Sequence, residues 1–218
     1  MANSGVAADE LPTVETQNQI SGYTLLDRNG KEILFREVYS HPDRTLVVFV
    51  RHFFCGSCQE YLQRLSTTVT PEVLSGLPGS TSIAIVGCGD PSLIEDYAAH
   101  TSCPYPMYCD PSRKLYETLG MVTTWEIGPQ PGYISKGLPR LVVDGIWQGL
   151  KHIWDGKILK AGAAEQQGGE FLFERSNDGE KRISWCHRMQ GSWGHTEIPA
   201  LVDIIHGRKA DELTTATE

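Results

Sequence analysis

Apolar residues in this chain fall into short blocks whose spacing alternates between the repeat of a strand and that of a helix. Thr45-Leu46-Val47-Val48-Phe49-Val50 is an unbroken β-branched and aromatic run, which predicts a central strand buried on both faces. Leu62, Leu65 and Val69 then recur at helical spacing. Ser82-Ile83-Ala84-Ile85-Val86 repeats the strand pattern, Gly87-Cys88-Gly89 supplies a turn, and Asp90-Pro91 opens a second helix. Such alternation predicts βαβ units and an α/β class. Residues 105–108 form a short strand candidate, and 111–119 a short helix closed by Gly120. Two hairpins frame this middle: 20–26 and 32–35 flank Asp27-Arg28-Asn29-Gly30, and 169–174 and 181–185 flank Asn177-Asp178-Gly179. A last helix is expected over 196–205.

Three stretches escape this alternation. Residues 1–18 are polar, with Asp9, Glu10, Pro12 and Glu15 and no apolar period, so they are expected to be a mobile tail. The same is expected of 208–218, leaving one domain over 19–207. Residues 121–162 begin with a loop rich in Gly and Pro. They continue as an amphipathic stripe of Leu138, Leu141, Val142, Ile146, Trp147, Leu150, Ile153 and Trp154. Such a stripe is usually a helix packed on the core, and the other reading is a ligand-facing or subunit-facing surface, a homodimer contact included.

Composition narrows the function. With 218 residues and 40% hydrophobic content the chain can bury a core of its own. Its 19 basic against 27 acidic residues argue against a nucleic-acid partner, which needs clustered cations. No run is long and apolar enough for a membrane span, and the first residues lack the order of a signal peptide, so a cytoplasmic protein is expected. Six cysteines in that setting read as free or catalytic thiols rather than a disulfide framework.

The chemistry centres on Cys55-Gly56-Ser57-Cys58, where the buried strand hands over to a helix. A thiol at the first turn of a helix has its anion favoured by unpaired backbone N–H groups and the helix dipole. Cys58, one turn later, lies within disulfide reach but deeper, so Cys55 is the expected attacker and Cys58 the resolver. The spacing alone also fits half a zinc site, but Cys103 and Cys109 are too far apart to complete one, and no metal or other cofactor is expected. Arg51 and His52 are the nearest groups able to stabilise a thiolate or polarise a peroxide oxygen, and strand alternation lets only one of them face Cys55. The alternatives are a surface ion pair for Arg51 and a satisfied core histidine for His52. Cys88, Cys103, Cys109 and Cys186 are taken as structural, since Cys186 and its neighbour His187 should point to opposite faces of a strand.

Three segments together resemble the peroxiredoxin-like branch of the thioredoxin superfamily, the AhpC/TSA type that includes the peroxiredoxin-like 2 proteins. They are Val48-Phe49-Val50-Arg51-His52-Phe53-Phe54-Cys55-Gly56-Ser57-Cys58-Gln59, Tyr105-Pro106-Met107-Tyr108-Cys109-Asp110-Pro111-Ser112-Arg113-Lys114-Leu115-Tyr116, and Gln166-Gln167-Gly168-Gly169-Glu170-Phe171. The resemblance covers about 20–205. It implies a thioredoxin-like fold, a central mixed sheet flanked by helices with a helical or loop insertion at about 121–162. It also implies thiol-dependent reduction of a peroxide or disulfide, with thioredoxin or glutathione as reductant. Two departures stand out. Peroxiredoxins carry Pro-x-x-x-Thr-x-x-Cys where this chain has Val48 and His52, so the usual peroxide-aligning hydroxyl is missing. Thioredoxins carry Trp-Cys-Gly-Pro-Cys facing a cis-proline, where this chain has Phe54, Ser57 and a late strand opening on Gly168-Gly169. A bulky organic hydroperoxide or endoperoxide is therefore the expected substrate, bound by Phe54, Trp147, Trp154, Gly168 and Gly169, with Trp125 and Tyr133 as further aromatic faces. The competing readings are a protein disulfide oxidoreductase and a non-redox binding or biosynthetic protein that has kept the fold.

Overall fold

The computed structural model describes residues 6–134, 160–176 and 178–207. Its elements, in order, are α1 (Val14–Ser21), β1 (Thr24–Leu26), β2 (Glu32–Leu34), α2 (Phe35–Tyr39), β3 (Arg44–Phe49) and α3 (Gly56–Thr68). There follow α4 (Pro71–Ser75), β4 (Thr81–Gly87), a 3-10 turn (Pro91–Leu93), α5 (Ile94–Thr101), β5 (Met107–Cys109), α6 (Lys114–Thr118), β6 (Gly169–Arg175), β7 (Lys181–Arg188) and α7 (Ile198–Ile205). The strands form one mixed sheet in the order β2-β1-β5-β4-β3-β6-β7. β3 runs parallel to β4, and β4 to β5, as the βαβ reading requires, whereas β6 lies antiparallel to β3 and carries the late hairpin to the edge.

β3 is the centre of this sheet, and its alternation divides the core in two. Leu46 and Val48, with Val50 beyond the strand, face a layer that holds Cys58, Tyr61, Leu62 and Leu65 of α3, Ile94 and Tyr97 of α5, and Leu201 of α7. Val47 and Phe49 face the other layer, with Ile20 of α1, Phe35 of α2 and Leu115 and Tyr116 of α6. Each fully buried side chain of this size contributes about 1.5–3 kcal/mol, so the two layers together dominate the stability. The first hairpin forms as expected: Asp27 Oδ1 accepts from the amides of Asn29 and Lys31 at 2.8 and 2.9 Å, and Gly30 takes a φ of 74°. Helix α4 was not expected. Thr70 caps it by accepting from the Val73 amide, and Pro71 starts it.

The N-terminal reading needs correction. Residues 6–18 are not a loose tail: Thr13 Oγ1 caps α1 by accepting from the Thr16 amide at 3.2 Å, and Ile20 is fully buried. What fixes the preceding strap is Arg188, which is 1% exposed and donates to the carbonyls of Ala7, Glu10 and Leu119 at 3.1, 2.7 and 2.5 Å. Hydropathy could not reveal this, because the strap is held by its backbone oxygens around a buried cation rather than by apolar burial. The expected helix with Trp147 and Trp154, the end from 208, and Asn177 all lie outside the described residues. The flanks of the 121–162 segment, 121–134 and 160–162, are loop, tied to the body by a bridge between Thr123 and Gln166.

Replacing Arg188 by Met is expected to lower stability by about 2–3 kcal/mol, the order of losing hydrogen bonds to a charged group. It should also expose the 6–13 strap to limited proteolysis. Denaturant titration and cleavage mapping check both, and an unchanged cleavage pattern would remove the assigned role of Arg188.

Candidate active site

The sheet ends one residue before the chemistry begins. Val50 still donates to the Val86 carbonyl at 2.9 Å, after which the chain leaves β3 and re-enters as α3 at Gly56. Cys55 is the N-cap of that helix, with φ −76° and ψ 106°, its carbonyl already accepting from the Gln59 amide at 3.0 Å. Its sulfur therefore sits at the helix end where partial positive charge collects. Cys55 is 4% exposed and Cys58 wholly buried beneath it; both are unbonded thiols.

Arg51 is the second determinant. It is 8% exposed, and two of its nitrogens are spent on backbone oxygens: Nε donates to Gln166 at 3.3 Å and Nη2 to Ala164 at 2.6 Å. Its remaining nitrogen, Nη1, points at Cys55 Sγ at 3.4 Å. Among the described residues no carboxylate pairs with it, so its charge is left to the sulfur. Arg51 is thus not a surface ion pair. Cys88 fixes the same turn from behind, its thiol donating to the Arg51 carbonyl at 2.8 Å.

Ser57 completes the surroundings of Cys55. Its hydroxyl lies 3.1 Å from Cys55 Sγ and 2.8 Å from the Ser192 carbonyl, with one proton to give to either. The Cys55 thiol is held well below its ordinary range, first by the hydrogen bond that Cys58 gives it, against the opposing effect of burial. The charge of Arg51 and the hydrogen bond from Ser57 add to this. Cys58 moves the other way, raised by burial and by the hydrogen bond to, and charge of, Cys55. Burial also raises Cys103, Cys109 and Cys186, and pushes Cys88 up to about 11. Cys55 is therefore the one cysteine set to be a thiolate at neutral pH.

His52 is half-buried, and its backbone carbonyl accepts from the Cys55 amide at 3.0 Å. Burial lowers its imidazole below the usual range, the nearby Arg51 charge assisting and the Cys55 and Glu165 charges opposing, so it stays neutral. Residues 50–55 are a turn rather than a strand, and of the two it is Arg51 that reaches the sulfur. Gly168 and Gly169 have a steric role: a Cβ on Gly168 would meet the Phe49 carbonyl oxygen at 1.9 Å, and one on Gly169 the His187 oxygen at 2.5 Å. They let β6 close against its neighbours rather than offering a surface to substrate. Phe54 is half-buried and Trp125 is 73% exposed. Tyr133 is buried behind the motif, its ring 5.1 Å from that of Tyr61.

Behind Cys58 lies a pair that sequence reasoning missed. His195 Nε2 is 3.4 Å from Cys58 Sγ, and His195 Nδ1 is 2.5 Å from Glu170 Oε1. The Tyr61 ring stacks on the imidazole at 4.2 Å and an angle of 6°, and the Tyr133 hydroxyl accepts from the His195 amide at 3.2 Å. The Thr196 hydroxyl donates to the other Glu170 oxygen at 3.0 Å. Burial works to raise the Glu170 carboxyl, but the facing His195, then His187 and Thr196, outweigh it and hold it below the usual glutamate range. One sign was present in the sequence: Glu170 shares its strand face with Leu172, which packs in the α3 layer. A charged residue on that face needs a partner.

A family model described as AhpC/TSA antioxidant enzyme matches residues 64–191. The chain belongs to that family. Family members similar over more of the chain include the peroxiredoxin-like 2C proteins of Takifugu rubripes and Homo sapiens. They are 28% identical over 182 residues (82% of this chain, 76% of that protein) and 26% identical over 184 residues (83% and 76%). Among solved structures, Xanthomonas campestris peroxiredoxin Q superposes with a TM-score of 0.54 at 10% identity, covering 91% of this chain and 95% of that one. A peroxiredoxin-like protein from Aquifex aeolicus gives 0.52 at 8% identity, covering 85% and 82%. The thioredoxin-like fold and the mixed sheet flanked by helices hold, and family membership supports thiol-dependent redox function. The family match begins beyond Cys58, so the pairing of Cys55 with Arg51 rests on the geometry alone.

Alkylation with iodoacetamide at mildly acidic pH is expected to mark Cys55 ahead of the other five cysteines. Arg51→Met should slow that labelling by about tenfold or more, because a facing cation favours the thiolate. Labelling of Cys88 or Cys186 before Cys55 would contradict the assignment.

Proposed function

We propose that this protein is a thiol-dependent peroxide reductase that cycles through a Cys55–Cys58 disulfide. The observation that carries the reading is the buried Arg51 guanidinium, which has no carboxylate partner among the described residues and gives its free nitrogen to a thiol at a helix start. In the first step the Cys55 thiolate attacks the nearer peroxide oxygen and the O–O bond breaks. With a hydroperoxide, Cys55 becomes a sulfenic acid, and the alkoxide leaves and takes up a proton. Cys58 then attacks the Cys55 sulfur, the S–O bond breaks, and water departs as the disulfide forms. A dithiol protein such as thioredoxin, or two molecules of glutathione, returns both thiols.

Without a peroxide-aligning hydroxyl at position 52, rate must come from binding the rest of the substrate, which favours a bulky organic hydroperoxide or endoperoxide over hydrogen peroxide. A related fold supports this choice of class: a Xanthomonas campestris bacterioferritin comigratory protein, similar with a TM-score of 0.52 at 12% identity, is described by its alkyl peroxide reduction activity. Six unbonded thiols suit a reducing compartment, the cytoplasm on our reading. Among the described residues no helix is long and apolar enough to cross a membrane.

Cys58→Ser is expected to accumulate a Cys55 sulfenic acid trappable by dimedone, or mixed disulfides with the donor, and Cys55→Ser neither. Equal behaviour of the two variants would remove the division of roles. In steady state, kcat/KM for cumene hydroperoxide should exceed that for hydrogen peroxide by about tenfold, the scale of one extra apolar contact region. Preference for hydrogen peroxide would overturn the substrate class, and faster reduction of insulin disulfides than of either peroxide would favour a protein disulfide oxidoreductase.

A further inference from the structure

The Cys58 thiol has one proton and two acceptors in reach. In the resting protein it serves the Cys55 thiolate. Once Cys55 is a sulfenic acid that acceptor is no longer an anion, yet Cys58 must lose its proton to attack. Cys58 is wholly buried, so bulk water does not reach it directly. A thiol raised by burial does not ionise unaided at neutral pH.

We infer that His195 is the general base for Cys58 and that Glu170 is the residue that positions it. The carboxylate of Glu170 accepts from Nδ1, which fixes the tautomer and leaves the Nε2 lone pair aimed at Cys58 Sγ, 3.4 Å away. The resolving step then balances within the site. The Cys58 proton passes to His195 Nε2 and the sulfur attacks Cys55. The departing hydroxide takes that proton back from the imidazolium, so water leaves and His195 is neutral again. In the reductive half the donor thiol that attacks Cys55 gives up its proton, and His195 passes a proton on to Cys58 as it leaves the disulfide. The groups facing His195 suit a cation that forms and disappears. Glu170 from β6 supplies the compensating negative charge, Tyr61 from α3 stacks face-on, and the Tyr133 hydroxyl holds the backbone. Thr196 and the nearby His187 steady the Glu170 carboxylate, and Arg51 lies on the Cys55 side of the motif.

This inference rests on the Cys55–Cys58 cycle proposed above, and the test separates the two. Wild type, His195→Ala, His195→Ala with added imidazole, and Glu170→Gln are each mixed with cumene hydroperoxide and quenched in time, with folding checked by circular dichroism. Sulfenic acid is counted by dimedone adduct and disulfide by the loss of two hydrogens in intact mass. Sulfenic acid formation should stay within about twofold of wild type, because His195 does not touch Cys55. Disulfide formation at neutral pH should fall by about 100-fold in His195→Ala and recover in part with imidazole, and fall by about tenfold in Glu170→Gln. In the wild type, which has no folding uncertainty, the resolving rate should level off with rising pH before the buried Cys58 thiol would ionise unaided. A rate that keeps climbing with pH, or variants that resolve as fast as wild type, would overturn the relay and leave the cycle standing. A wild type that forms sulfenic acid but no Cys55–Cys58 disulfide would overturn the cycle and the relay with it.

Discussion

A guanidinium placed in a protein interior loses its hydration, and the loss is tolerated only where other groups replace the water. For Arg51 two of those groups are backbone oxygens from 164–166, and the third is a sulfur that does best as an anion. Neither charge is well placed without the other. The pairing accounts for much of the surrounding architecture: the turn after β3, the Cys88 thiol anchoring the Arg51 carbonyl, and the loop before β6 that presents the two oxygens. It also explains why the thiolate can be buried at all, since a helix end alone is worth about 0.3–1 kcal/mol at an exposed surface.

Below this pair the site becomes a chain of hydrogen-bonding groups rather than a single thiol. Cys55 and Cys58 are pulled in opposite directions, one towards the anion and one towards the neutral form. That divergence is the usual basis for assigning distinct roles to two like groups at short range. The loop containing Ser192 and His195 serves both cysteines, accepting from Ser57 beside one and placing an imidazole beside the other. Its position depends on the segment before residue 134, where Glu126 and Ile127 carbonyls accept from the amides of Ser192 and Trp193 at 2.8 and 2.9 Å.

Most of the scaffold was legible because it follows from local pattern. The β3 run, the Leu62, Leu65 and Val69 spacing and the Asn-Gly turn each dictate their element through burial or backbone geometry. Three features were not legible, for separate reasons. The N-terminal strap is fixed by carbonyl oxygens, to which hydropathy is blind. Gly168 and Gly169 looked like substrate contacts because of their place opposite the motif, whereas the backbone approach that demands them exists only once β3, β6 and β7 are assembled. His195 and Glu170 are 25 residues apart in the chain. His195 carries no local pattern, Glu170 shows only as a charge on a buried strand face, and their meeting is a product of the assembled fold.

The order in which these parts leave the ribosome has its own consequence. The strand, turn and helix that carry Cys55 and Cys58 belong to the first third of the chain, whereas the atoms that orient Arg51 and Ser57 and flank Cys58 come from 164–195. β3 pairs locally with β4 but must wait for β6 to gain its other neighbour. A partly synthesised chain thus carries the two cysteines without the oxygens that orient Arg51 or the imidazole beside Cys58. The complete site arrives with the last strands, so an unfinished molecule, whose exposed segments are the most prone to mispairing, is also the one least equipped to close its own disulfide.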